Sequence, residues 1–316
     1  MSTYVRTDNN KGNCADRPKV LCVLGTSRCG STVIDRTIGK LPNFFSCGEL
    51  AQVWQRGVLE DQYCSCGKRF SECEFWKHFA GRVSNDTAEQ CAQYHQQVIQ
   101  GNCFIKLRRT LNTAEGRQYL EKMTELYEYI SKRSRAAMLI DSSKNPFYAY
   151  MLNQMPGFDC YVLHVVRDPR GVAYSRCKSK WDPASQKYLP QKSLSYSAVV
   201  WVSRNLLIEG MFRWRRPIPY RFLKYEDFVR QPQHESEQIM QWMDNNRRNS
   251  FHNCFSQTSK DDNEHQVAGN PARFDGHTEI RLDEKWRSEL GHGQQVWTEF
   301  LTLPLLLKYG YKLGRR

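Results

Sequence analysis

Two stretches of the chain carry residues suited to gripping an anion. The first is Gly25-Thr26-Ser27-Arg28-Cys29-Gly30-Ser31-Thr32. Its glycines permit a tight turn. A turn that feeds a helix aims several backbone N–H groups at one point, where an anion can sit. The glycine spacing is that of a phosphate loop, GxxxxGK[ST], but Ser31 stands where the lysine belongs. The positive charge comes instead from Arg28, within the loop, which disfavours an ordinary NTPase. A plain Gly/Ser turn between strand and helix is the competing reading. The second stretch is Val165-Val166-Arg167-Asp168-Pro169-Arg170-Gly171-Val172-Ala173-Tyr174-Ser175-Arg176. Arg167 ends a predicted strand, and Ser175 lies on the helix that starts near Pro169. Ligands of open α/β sheets gather at the carboxyl ends of strands, so both side chains can face one crevice. A guanidinium and a hydroxyl together suit a phosphate. The alternative is an Arg-Asp ion pair at a helix start.

The elements that must position these residues follow from hydrophobic patterning. Residues 19–25 (KVLCVLG) form a short apolar run ending in glycine, as a buried parallel strand does. A helix is predicted over 31–40. Residues 85–100 and 112–133 read as helices, the latter with Leu120, Met123, Leu126, Tyr127 and Ile130 at helical spacing. Residues 136–141 (AAMLID), 160–166 (CYVLHVV) and 219–223 (PYRFL) read as further strands. Apolar strands separated by helical stretches indicate βαβ units and a parallel sheet. The expected fold is an α/β three-layer sheet flanked by helices. It occupies residues 19–316 as one domain behind a disordered polar lead-in at 1–18. A Cys-rich loop at 61–78 and an aromatic and basic insertion at 177–202 lie within it.

Composition bounds the partners. The chain has 316 residues, 40% hydrophobic and 25% charged, so a sizeable core can form. Its 46 Lys+Arg against 33 Asp+Glu give +13, which calls for something negative or a solvated basic surface. The longest apolar runs, 198–202 and 303–307, are far short of the ~20 residues of a membrane span. Residues 1–18 lack the apolar stretch of a signal peptide, so a cytoplasmic location is expected. The 12 cysteines then read as thiols or metal ligands rather than a disulfide framework.

Taken in order, these motifs resemble those of sulfotransferases that use 3′-phosphoadenosine 5′-phosphosulfate (PAPS). In that family the loop after the first strand binds the 5′-phosphosulfate, here Thr26, Ser27, Arg28, Cys29, Gly30, Ser31 and Thr32. The later Arg…Ser pair, here Arg167 and Ser175, binds the 3′-phosphate. Further pieces agree. Asp141-Ser142-Ser143-Lys144-Asn145-Pro146 resembles an SSK element of bacterial members, and Tyr225-Glu226-Asp227-Phe228 the family's YEDL element. Residues 265–274 (HQVAGNPARF) resemble the late loop that covers the cofactor, and 303–311 (LPLLLKYGY) the C-terminal ending. The resemblance spans roughly residues 19–313 and lies nearest the bacterial and tyrosylprotein-type branch.

The resemblance implies a mechanism. Sulfuryl transfer is kin to phosphoryl transfer, with a loose in-line transition state, so catalysis is mostly positioning and charge stabilisation. A sulfuryl group carries less charge than a terminal phosphoryl group, so fixed cations can replace a metal. Arg28 is expected to neutralise the leaving phosphate and the sulfuryl oxygens. Lys144 resembles the lysine near the bridging oxygen in tyrosylprotein members, and Glu49 aligns with their catalytic base. A helix-start carboxylate is the other reading of Glu49. Tyr225 is expected near the adenine, or else as a buried tyrosine closing its strand. Gly269, Asn270 and Arg273 are expected over the nucleotide. Cytosolic members use a histidine base on an earlier segment, but residues 103–108 contain none. His164, inside an apolar strand, reads as a packed core histidine.

Cys64, Cys66, Cys73 and His78 offer four ligands whose spacing is not that of a familiar zinc finger. Similar CxCG…CxFW segments occur in bacterial sulfotransferases, so a shared structural loop is implied. Zinc, a labile disulfide and free thiols all remain open, and the proposed chemistry needs no metal. Trp181, Tyr188, Tyr196 and Trp201, interleaved with Lys178, Lys180, Lys187 and Lys192, form either an acceptor flap or a surface insertion. The acceptor hydroxyl belongs to a small molecule, lipid, saccharide or peptide. No RNP or zinc-finger pattern points to nucleic acid. A basic nucleic-acid-binding protein and a nucleotide kinase are the competing functions.

Overall fold

The apolar run expected as the first strand forms β1 (Lys19–Gly25), buried from Val20 onward. A strand apolar on both faces needs cover on both, which a parallel sheet between helices supplies. The computed structural model describes residues 17–99, 104–215, 217–243, 264–274 and 280–314. The expected lead-in lies outside them apart from Arg17 and Pro18. Four more strands join β1: β2 (Phe44–Gly48), β3 (Met138–Lys144), β4 (Asp159–Val166) and β7 (Tyr220–Lys224). Their order is β2-β3-β1-β4-β7 and every neighbouring pair is parallel. The α/β sheet is therefore the one the patterning predicts, with β2 added to the four expected strands. β2 reads FFSCG, too short for periodicity to separate it from a loop.

The helices that frame the sheet are α1 (Ser31–Gly39), α2 (Ala114–Ser134), α3 (Pro146–Leu152), α4 (Pro169–Cys177), α5 (Leu194–Ile208), α6 (Tyr225–Arg230), α7 (Pro232–Met243) and α8 (His292–Lys308). Alternate residues of a strand face opposite sides. Val20, Cys22 and Leu24 accordingly join one core with Trp54, Trp76, Leu126 and Tyr127. Leu21 and Val23 join a second core with Ile34, Ile38, Leu163 and Phe228. In α2, Met123, Leu126, Tyr127 and Ile130 are buried as their spacing predicts, and Thr113 caps the helix by accepting from the Gly116 N–H at 3.2 Å. The helix expected at 85–100 runs over Asn85–Tyr94 and continues through His95–Ile99.

The sheet buries two carboxyl groups near its carboxyl edge. Asp141 accepts from Tyr127 Oη at 2.5 Å and from the Ser143 N–H at 2.7 Å. Asp35 on α1 accepts from Ser142 Oγ at 2.7 Å. Burial pushes Asp141 up to about 6 and Asp35 up to about 7. A folded pKa above the unfolded one means that the native state holds a proton which the unfolded chain releases. Asp35 therefore supports the fold fully below about pH 3.9, and that support is lost as pH rises towards 7. Asp35→Asn removes this loss. It should raise the melting temperature by a few degrees at pH 8 and by less than half as much at pH 5, read by differential scanning calorimetry.

Candidate active site

Because the strands run the same way, their carboxyl ends share one edge. The segments leaving β1, β2, β3, β4 and β7 meet there, and they carry Arg28, Glu49, Lys144, Arg167 and Tyr225. After β1, the Cys29 N–H donates to Thr26 O at 3.1 Å and closes the turn. Gly30 then takes φ 93° and starts α1 with no side chain capping its amides. A Cβ on Gly30 would lie 2.0 Å from the Tyr225 ring, so only glycine lets this loop rest on that tyrosine. Thr26, Cys29 and Ser31 are buried, Ser27 is exposed, and Thr32 follows in the first turn of α1. Burial pushes the Cys29 thiol up, which fits a small packing residue and not a thiolate.

Arg28 and Lys144 both adopt left-handed backbone, at φ 71° and 64°. Such conformations cost on the order of 1–3 kcal/mol in non-glycine residues and persist where surroundings enforce them. For Lys144 the enforcement is visible. Pairing slips between β1 and β3, so Cys22 faces Asp141 but Leu24 faces Lys144. The Ser143 hydroxyl donates to Asp141 and accepts from the Ala51 N–H at 3.0 Å, which pins the turn. Lys144 Nζ then donates to Glu49 Oε1 at 2.6 Å and to Ser142 O at 2.8 Å. Sequence reasoning placed these two residues in one site; the structure brings them into contact.

Arg167 lies over Tyr225, with its guanidinium 4.9 Å from the ring centre. Its Nη1 donates to Arg28 O at 3.3 Å, and its Nη2 to Asp283 O at 3.0 Å and Oδ2 at 3.2 Å. The helix-start ion pair is a different one. Asp168 caps α4 by accepting from the Arg170 N–H, and it binds the Arg170 side chain at 2.7 and 2.9 Å. Arg170 also donates to Glu299 at 2.5 Å. Arg167 is thereby left at the crevice. Ser175 is half-buried on α4. Tyr225 is only 4% exposed, so it supports Gly30 and Arg167 and offers little ring surface to a base. Its neighbour Glu226 ties the end of β4 to the C-terminal segment, accepting from the Asp168 N–H at 2.9 Å and from Tyr311 Oη at 2.8 Å.

The segment 264–274 lies across Glu49. The Glu49 N–H donates to Ala268 O at 3.2 Å, and a Cβ on Gly269 would come within 3.7 Å of Glu49 Oε1. Arg36 on α1 holds the segment through Glu264 at 2.6 Å and Ala272 O at 2.8 Å. Asn270 accepts from Lys180 Nζ at 2.8 Å. Arg273 is 2% exposed, and its Nη1 donates to Gly269 O at 2.8 Å. Its Nε and Nη2 have no partner among the described residues. Burial holds the Arg273 guanidinium below its ordinary range, with Asp182 and Glu49 pulling the other way. Arg28 is lowered by burial too, and the charges of Arg176 and Arg167 add to this against Glu49. The edge thus concentrates guanidinium charge that an anion would relieve.

Several participants carried no distinct sequence signal. Arg176 follows Ser175 directly, and its Nη1 is buried without a partner among the described residues. Asp283 reaches the site through contacts that no local spacing encodes, and Lys180 of the insertion reaches it through Asn270. Two expectations need correction. The histidine beside Cys64, Cys66 and Cys73 is His265, while His78 is exposed on the short helix Lys77–Ala80. Trp201 is a core residue on α5 and donates to Arg167 O at 2.9 Å, so it is no part of a flap. The flap that remains is a ribbon, β5 (Lys180–Asp182) against β6 (Lys187–Leu189), with Trp181 47% and Tyr188 67% exposed. His164 matches its expected core role. It is fully buried and bonds Tyr220 Oη at 2.8 Å and Asn205 Oδ1 at 2.9 Å. Burial holds it down at about 4.

The sequence profile described as the sulfotransferase family matches residues 20–248. No curated protein sequence matches the chain significantly. In structure the chain is similar to the sulfotransferase domain from the Synechococcus PCC 7002 olefin synthase. That likeness has a TM-score of 0.56 at 19% identity, over 96% of this chain and 99% of that one. It is also similar to the sulfotransferase domain from the curacin biosynthetic pathway, with a TM-score of 0.54 at 16% identity, over 94% of this chain and 99% of that one. At these identities the two domains bear on the fold. No helix among the described residues is long and apolar enough to cross a membrane. The profile match runs from β1 through α7, across the loop, the Glu49–Lys144 pair and Arg167, and the chain belongs to the sulfotransferase family.

Proposed function

We propose that this sulfotransferase takes its sulfuryl group from PAPS and passes it to a hydroxyl acceptor. The observation that carries this reading is the 2.6 Å contact between Lys144 and Glu49 beside the loop that follows β1. The residues fit the co-substrate. Gly30 leaves the α1 amides uncapped, and Arg273 keeps two buried nitrogens without partners among the described residues. When bound, PAPS supplies an activated sulfuryl group on a nucleotide leaving group. The loop residues Thr26 to Thr32 would hold its 5′ end, and Arg167 with Ser175 its 3′-phosphate. Gly269, Asn270 and Arg273 would close over it.

Glu49 accepts the acceptor's hydroxyl proton. Lys144 and Arg28 counter the negative charge that gathers on the leaving side. Because Lys144 already contacts Glu49, the group that takes the proton and the group that stabilises the leaving oxygen are held in one geometry. The exposed Trp181, Tyr188 and Tyr196, with Lys187 and Lys192 nearby in sequence, favour an acceptor with an apolar body or negative charge.

Thermal-shift titration tests the reading. 3′-Phosphoadenosine 5′-phosphate (PAP) should stabilise the protein more than ATP or adenosine 5′-phosphate does. Equal shifts from all three would overturn it. Asp283 sharpens the test, because its carboxylate holds the guanidinium that the 3′-phosphate would need. The pair is partly exposed, so its worth is at most about 1 kcal/mol. Asp283→Asn should tighten PAP binding about two- to fivefold in calorimetry. Weaker binding would show that Asp283 positions Arg167 instead.

A further inference from the structure

Outside the crevice, three sulfur atoms and one imidazole nitrogen converge. Cys64, Cys66 and Cys73 come from one loop, and His265 from the segment that lies across Glu49. All four candidate ligand atoms lie within 4.8 Å of one another. The Cys66–Cys73 Sγ separation is 3.5 Å and the Cys64–Cys73 separation 3.7 Å. His265 Nδ1 is 3.2 Å from Cys73 Sγ and 3.8 Å from Cys64 Sγ.

We propose that Cys64, Cys66, Cys73 and His265 hold a structural zinc ion. With Zn–S near 2.3 Å and Zn–N near 2.0 Å, a regular tetrahedron has S···S edges of about 3.8 Å and S···N edges of about 3.5 Å. Each of the four separations above lies within about 0.3 Å of its edge. Three thiolates and one imidazole suit zinc by softness and by number, and they leave no open position, as a structural site requires. The surrounding backbone is arranged for thiolates. The Cys66 N–H bonds to Cys64 Sγ, the Lys68 N–H to Cys66 Sγ, and the Phe75 and Trp76 N–H groups to Cys73 Sγ. Such N–H···S bonds offset the charge of metal-bound sulfur and fix its direction. His265 is held as well: its ring stacks on Phe75 at 5.0 Å, and its carbonyl accepts from Trp76 Nε1 at 2.8 Å. Zinc binding displaces the three thiol protons to solvent and needs no redox partner.

The site has a structural consequence. Hydrogen bonds through Ser65 already link the loop to the segment, Ser65 N–H to Gln266 O at 3.0 Å and Gln266 N–H to Ser65 Oγ at 2.8 Å. A metal at His265 would clip the same segment that carries Ala268, Gly269 and Arg273 onto Glu49. With all four positions taken by protein ligands, the ion would act by holding that cover in place.

Metal analysis of the full chain, produced untagged in zinc-supplemented medium, tests this. About one zinc per chain is expected. Cobalt-substituted protein should show the intense visible bands of tetrahedral thiolate-bound Co²⁺. Cys66→Ser and His265→Ala should lose most of the metal, and His78→Ala should keep it. The cobalt spectrum of the wild-type chain stands even where a variant fails to fold. Zinc below about one-tenth per chain together with absent cobalt bands would overturn the proposal. So would a Cys66–Cys73 or Cys64–Cys73 disulfide found by mass spectrometry after anaerobic alkylation. Both readouts use no nucleotide and no acceptor. A failed metal site and a failed PAPS reading are therefore told apart.

Discussion

Glu49→Gln should lower turnover at saturating PAPS by about 10²- to 10⁴-fold, the usual range for loss of a general base. Binding of PAP should stay within about threefold of the wild type, because the change removes an interaction used in the transition state. The side chain keeps its length, and its amide oxygen can still accept from Lys144 Nζ, which contacts Oε1 at 2.6 Å. The Glu49 N–H still donates to Ala268 O, so the covering segment keeps its anchor. What is lost is the ability to take a proton. Steady-state kinetics with separate kcat and KM values checks this. Unchanged turnover would remove Glu49 from the base role and leave it as a partner that orients Lys144.

Arg273→Met should weaken PAP binding by about 10- to 100-fold, the worth of a charge-assisted hydrogen bond of about 1.5–3 kcal/mol. The melting temperature of the free protein should hold or rise. The two effects have opposite signs for one reason. Arg273 is buried with Nε and Nη2 unpaired among the described residues, which disfavours the free fold until an anion arrives. Methionine fills similar space and keeps contact with Phe274, over which the guanidinium lies at 4.5 Å. Calorimetric titration and a thermal melt on the same sample decide the matter. A large fall in melting temperature with unaltered affinity would make Arg273 a packing residue.

Much of the site was legible because its residues sit where the chain changes from strand to helix. Arg28, Lys144, Arg167 and Tyr225 each lie at or just beyond the end of an apolar run, so a parallel sheet must bring them to one edge. Glu49 enters through its resemblance to the tyrosylprotein-type base, while β2, the strand that delivers it, is too short to carry a periodic signal of its own. Contacts made across long sequence separations were not legible. The Lys180–Asn270 bond, the Arg167–Asp283 pair and the approach of His265 to Cys73 depend on which loops dock. The basic excess shows the same limit. Arg213 and Lys308, both partly exposed, pair with the buried Glu209, so part of the excess answers a carboxylate that no local spacing announces.

The sequence by itself determined the parallel α/β sheet and the uncapped loop after its first strand. It also determined which residue types stand at the strand ends. Those features rest on local periodicity, on glycine's backbone freedom and on the residues adjoining each turn. The tertiary structure alone decided which groups touch. Lys144 meets Glu49 because a register slip in β3 turns it there. Tyr225 supports the loop because Gly30 rests on its ring. His265 replaces His78 beside the cysteines because the covering segment folds back on their loop. Pairing of this kind comes from the packing of distant segments, which no local spacing records.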